Sequence, residues 1–232
     1  MRKLIQCQAL LSATAALFTL SAFAQPAPQR PTTSGAWRFL TGYHSEQPSA
    51  PEAIRILLRM AEVPSGFAAE RSCKAGPPVA LDVPPGMELR SALDEVFVLA
   101  GAGYRQEDRN GVLNVLPASG IPLPLKVRIA SLTLQDPANL MLSLRQLEQA
   151  PEFEQALFTA GLALWVRASL WSTVRQPGDP EPPKPQPLEI RDMQVIDVLN
   201  LLAMRHGRAV WLYNETHCGG QRPRVELSFL RQ

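Results

Sequence analysis

The stretch from Glu52 to Pro117 constrains this chain most, because its apolar pattern changes period in the order helix, strand, strand, helix, strand, strand. Ile54, Leu57, Leu58 and Ala61 fall at helical spacing after Pro51, and Pro64-Ser65-Gly66 ends that run. Phe67 to Glu70 is a candidate strand. Val79, Leu81 and Val83 alternate in a second, stopped by Pro84-Pro85-Gly86. A second helix is expected over Met87 to Ala100, with Leu89, Leu93, Val96, Phe97 and Ala100 as its stripe and Gly101 to close it. Tyr104 to Glu107 and Val112 to Leu116 read as strands around Asn110-Gly111. Asn-Gly favours a tight hairpin because both residues tolerate positive φ. Ala36 to Gly42, with Trp37 and Phe39 alternating with Arg38, is a candidate strand before the first helix. The expected fold class is α+β, with a first module over 36–118.

Residues 1–24 follow the grammar of a secretory signal peptide. Arg2 and Lys3 precede the apolar stretch Ala9 to Phe23, and Ala22-Phe23-Ala24 supplies a small-x-small cleavage pattern before Gln25. The apolar run is short for a membrane span, which needs about 20 residues. Cys7 follows Gln6 and precedes the apolar region, an arrangement unsuited to lipoprotein processing. Removing Arg2 and Lys3 from 23 basic residues leaves 21, against 21 acidic ones. A balanced chain with no basic stripe does not read as a nucleic-acid binder. Gln25 to Gly35 is a Pro-, Ser- and Thr-rich lead-in. The expectation is an exported chain, periplasmic or secreted, with no transmembrane segment after cleavage near Ala24-Gln25.

The second half, 119–232, reads as a second α+β module. Leu125 to Leu134 is a strand candidate with a bend, and Leu140, Leu144 and Leu147 mark a helix after Asp136-Pro137. Phe153 to Leu164 is open between helix and strand, and Leu164 to Trp171 alternates as a strand. Gln176 to Pro187 is a proline-dense loop, a stiff connector or a docking segment for an aromatic groove. A short strand at Leu188, a helix from Met193 to Arg205, and strands over Ala209 to Tyr213 and Val225 to Leu230 complete the chain. Met87 to Gly101 lies over Met193 to Gly207 without a gap: Leu89 falls on Val195, Ala92 on Val198, Leu93 on Leu199 and Val96 on Leu202. Ile54 to Gly66 overlays Val195 to Gly207 in the same register. One supersecondary unit used more than once accounts for the match; so does the general likeness of amphipathic helices.

The residues Val79-Ala80-Leu81-Asp82-Val83, then Leu89, Ala92 and Leu93, then Gly103-Tyr104-Arg105, then Gly111-Val112-Leu113-Asn114-Val115 resemble the short N-terminal domain of secretins and TonB-dependent receptors. The resemblance spans residues 36–117 and returns loosely over 188–230. It implies a βαββαββ module in the periplasm that docks onto neighbouring envelope proteins of secretion, pilus or receptor systems. No barrel or pore region is read after the module, so the partner remains open.

Chemistry-bearing residues are few. Cys73 and Cys218 are a candidate disulfide in an oxidising compartment, or two buried thiols. His217-Cys218, with His206, is the one reactive-looking group, but it lacks metal-site spacing and a second Cys–His pair. Asp82, Asp94, Glu95 and Asp197 read as solvated helix-side carboxylates. No nucleophile elbow, zinc-protease motif or phosphate loop is present. The expectation is therefore a non-catalytic interaction protein, with no catalytic, cofactor or metal residues assigned. Trp165, Trp171 and Trp211 keep open an envelope carbohydrate or peptidoglycan binder, and Cys218 a small periplasmic thiol enzyme. Asn214-Glu215-Thr216 is a formal glycosylation sequon.

Overall fold

The computed structural model describes residues 37–46, 48–73, 76–101, 103–165 and 185–230, and every element below lies in one compact unit, Thr33–Gln232. The signal-like segment, the lead-in, most of the proline-dense loop and Trp171 lie outside the described residues.

The first half runs β1 (Tyr43–Ser45), α1 (Ala50–Met60), β2 (Ser65–Ser72), β3 (Leu81–Val83), α2 (Leu89–Leu99), β4 (Tyr104–Arg109), β5 (Val112–Pro117). Pro51 opens α1, with Glu52 in its first turn and Arg59 in its last, each favourable to the helix dipole. Ala53, Ile54, Leu57 and Leu58 are its buried face. The hairpin between β4 and β5 turns on two residues only, Asn110 (φ 56°) and Gly111 (φ 80°), both left-handed. Of the strand expected over Ala36 to Gly42, none forms over the described residues 37–42. Arg38 makes a single bridge to Glu88, and Phe39 is pinned in the core by its N–H donating to Met87 O (3.0 Å). Leu40 then turns outward, 96% exposed, and the strand begins at Tyr43.

The second half runs α3 (Leu123–Lys126), β6 (Arg128–Leu134), α4 (Leu140–Glu148), α5 (Pro151–Thr159), β7 (Ala163–Leu164), β8 (Leu188–Gln194), α6 (Val195–His206), β9 (Val210–His217), β10 (Arg224–Leu230). The bend expected in Leu125 to Leu134 is a helical turn, because Pro124 sits in the first turn of α3 and only Val127 returns to extended backbone. The ambiguous Phe153 to Leu164 is helix up to Thr159: Pro151 starts α5, and Gly161 (φ 68°) breaks the chain into β7. Asn139 caps α4 by accepting from Leu142 N–H (3.2 Å), and Gly207 (φ 74°) ends α6.

The main sheet has the order β4-β5-β2-β9-β10-β7. β1 pairs antiparallel with β3, and β6 pairs antiparallel with β8. Within the first half β2 lies parallel to β5, which is antiparallel to β4; within the second β7 lies parallel to β10, which is antiparallel to β9. Thus β4-β5-β2 and β9-β10-β7 are the same arrangement, placed end to end. Because β2 and β9 are parallel, the strand directions of the second set are reversed. A half-turn about an axis across the strands, with a shift along it, relates the two, and it puts their helices on opposite faces. α1 and α2 cover the face of Phe67, Ala69, Leu113 and Val115, while α4, α5 and α6 cover that of Trp211, Tyr213, Val225 and Leu227.

Strand pairing crosses the boundary expected at residue 118. β2 pairs with β9 along its whole length, from Ser65 opposite Val210 to Ser72 opposite His217. Val210 and Leu212 fill the first half's core, and Ala68 and Leu116 the second's. The Trp211 indole sits against Gly66, where a Cβ would come within 1.9 Å of the ring. Its ring N–H donates to Asn200 Oδ1 (2.7 Å) from α6.

Candidate docking edge

β4 ends the sheet, and among the described residues it pairs only with β5. Its two-residue hairpin makes Arg109 and Val112 the first hydrogen-bonded pair, and the alternation of an antiparallel ladder follows. Arg109, Glu107 and Arg105 therefore bond inward to β5, continued by Ala118 N–H donating to Gly103 O (2.9 Å). Tyr104, Gln106 and Asp108 direct their N–H and C=O groups away from the sheet. Pro117, which has no N–H, faces Tyr104, a position where that ladder needs none.

The charged side chains of β4 are paired either with a neighbouring helix or with one another. On the α2 side Arg90 donates to both carboxylate oxygens of Asp108 (2.6 Å each), and Gln106 Nε2 donates to Arg90 O (3.1 Å) and Asp94 Oδ1 (2.7 Å). Tyr104 packs against Phe67 and Phe97, and burial raises its phenol pKa. On the other face Arg105 Nη1 donates to Glu107 Oε2 (2.6 Å). Arg109 grips Asp197 in two-pronged fashion (Nε to Oδ1 2.6 Å, Nη2 to Oδ2 2.9 Å) and also reaches Gln194. The hydrogen bond to Asp197 leads the causes raising the guanidinium pKa. Asp197 is thus a half-buried anchor at the start of α6 rather than a solvated carboxylate, and Asp94 holds Gln106. The sequence places Tyr104 to Glu107 in a strand but assigns no binding role to Arg105, Gln106, Glu107 or Arg109. Their alternation beside an Asn-Gly hairpin was the available signal. Val98, one turn beyond Asp94 on α2, is 78% exposed.

The other sequence candidates fall elsewhere. Cys73 and Cys218 form a disulfide, Cα to Cα 5.1 Å, one residue past the last β2–β9 pair. Cys218 therefore presents no free thiol. His206 and His217 flank β9 at opposite ends, separated by the strand's length of about 23 Å, so His206, His217 and Cys218 are not brought together. His217 Nε2 contacts Glu215 Oε1 (2.8 Å), whose other oxygen accepts from Tyr213 O–H (2.8 Å). Burial, then Glu215, raises the Tyr213 pKa. Among the described residues no group of three His, Cys, Asp or Glu side chains is placed for a metal, and no helix is long and apolar enough to cross a membrane. Trp211 is wholly buried, so the three-tryptophan sugar platform is not built. Trp165 is 48% exposed under the guanidinium of Arg224 (4.5 Å), beside a cavity of about 250 Å³ also lined by Thr216, Gln221 and Arg222. The sequon at Asn214 lies half-buried within β9, not in a loop.

No protein-family model, curated protein or solved structure matches this chain.

Proposed function

We propose that this chain is an exported, non-catalytic docking protein of the periplasm, similar in build to the short N-terminal domain of secretins and TonB-dependent receptors, and that it binds protein through the edge of β4. The carrying observation is that edge: backbone donors and acceptors at Tyr104, Gln106 and Asp108, with the flanking charges neutralised within the chain. Strand addition uses such groups for affinity. Charges on an edge guard it against indiscriminate pairing, and here they also leave it selective. The element order β1-α1-β2-β3-α2-β4-β5 supports the family likeness, and the disulfide together with the signal-like N-terminus supports export.

The test is in-cell photo-crosslinking from position 106, with position 158 on the exposed side of α5 as control. Adducts with a protein of the envelope from 106 and not from 158 are expected. No adduct from 106, or the same adducts from both positions, would sink the reading. A second reading, an envelope glycan binder, is favoured by Trp165 and its cavity alone. Fluorescence titration with peptidoglycan fragments, unchanged in Trp165→Ala, would dismiss it.

A further inference from the structure

We infer that the occupant of the β4 edge is a second copy of this chain, whose own β4 pairs with it antiparallel about a two-fold axis through Gln106. The inference rests on the reading of β4 as a docking edge and adds the partner. It follows from the order Tyr104-Arg105-Gln106-Glu107-Asp108. With the axis at Gln106, Arg105 faces Glu107 of the copy, Tyr104 faces Asp108, and Gln106 faces itself. The groups directed outward, at 104, 106 and 108, then meet one another and complete a hydrogen-bonded ladder. Moving the axis to Glu107 sets Glu107 against Glu107 and Arg105 against Arg109. Moving it to Arg105 sets Arg105 against Arg105. Like charges directly opposite disfavour both, so of these three registers the one centred on Gln106 is favoured.

The intramolecular seam shows that this position in the arrangement takes a strand. β9 holds in β9-β10-β7 the place that β4 holds in β4-β5-β2, and its outer edge is filled by β2. In the pair, α2 of each chain flanks the axis on one face. Arg90 and Asp94 place the flank of α2 that bears Val98 over β4, so the copy covers an apolar side chain otherwise left in water. The two-fold closes on itself and leaves no further β4 edge to extend.

Sedimentation equilibrium of the mature chain from Gln25, disulfide intact, tests this. A reversible dimer is expected. Arg105→Glu and Glu107→Arg, each alone, set like charges opposite at two symmetry-related places and weaken association about tenfold or more. Both break the internal Arg105–Glu107 bridge, but an equimolar mixture of the two variants restores opposite charges across the seam. The mixture should dimerise within a few-fold of the unmodified chain. Gln106→Pro removes an outward N–H and spares the β5 ladder, so it should abolish the dimer while the circular dichroism spectrum stays that of the folded parent. A monomer at all concentrations, a dimer indifferent to Arg105→Glu, or a mixture no better than its components overturns the proposal. A monomer that still crosslinks from position 106 to a different envelope protein removes the dimer and keeps the docking reading.

Discussion

Gly66 and Trp211 decide how closely the two halves approach. The indole occupies the space a Cβ would need, and its N–H donates to Asn200 Oδ1 in the core. Gly66→Ala should destabilise the protein by about 3 kcal/mol, the upper end of overpacking. Trp211→Phe, which leaves Asn200 without its donor, should cost about 2–3 kcal/mol. Urea unfolding measures both; a loss under about 0.5 kcal/mol, the usual size of a surface substitution, would mean the indole can move aside. Glu148, at the end of α4, behaves differently. Burial pushes its carboxyl up to about 7, with Arg145 pulling the other way. The folded state then holds its proton more tightly than the unfolded one. The stability this contributes is complete below the unfolded value of 4.5 and is lost as pH rises through about 7. Glu148→Gln should therefore raise the melting temperature at pH 8, have little effect at pH 4, and flatten the profile between. A parallel profile shifted equally at both pH values would contradict this.

At the scale of elements, the β2–β9 seam is held at one end by Arg109–Asp197, which joins the β4–β5 hairpin to the start of α6, and at the other by Cys73–Cys218. Asp197→Ala leaves the half-buried guanidinium of Arg109 without its carboxylate and should cost about 2 kcal/mol. A double-mutant cycle with Arg109→Ala should return a positive coupling energy, and zero coupling would make the pair incidental. The disulfide spans 145 residues of chain. Loop-closure entropy alone sets an upper bound of about 5 kcal/mol on its contribution. Replacing both cysteines by serine should lower the denaturant midpoint and speed amide exchange first at Ser72 and His217, where the paired strands end. Uniform exchange along β2 and β9 would place the effect in the unfolded chain only.

For the whole molecule, the shared sheet makes the halves interdependent. Residues 25–118 alone would lack Val210 and Leu212 and would expose the full edge of β2. That fragment is expected to be poorly structured by NMR dispersion and to gain order on adding 119–232. A well-dispersed spectrum of the fragment alone would show that the first half folds by itself.

Much of this was legible locally. Asn110-Gly111 named its hairpin, and Gly207 closed its helix. These features depend on turn chemistry and periodicity within a few residues, which the chain carries whatever its surroundings. The strand at Ala36 to Gly42 misled because Phe39 alternates with exposed positions only while anchored to the start of α2. Asp197 looked solvated because its partner, Arg109, lies on a distant hairpin. The insertion of β9 beside β2, the seat of Trp211 on Gly66 and the choice of β4 as an outer edge belong to the tertiary structure. Strand partners are chosen by which faces are buried together across the chain, and no local pattern records that choice.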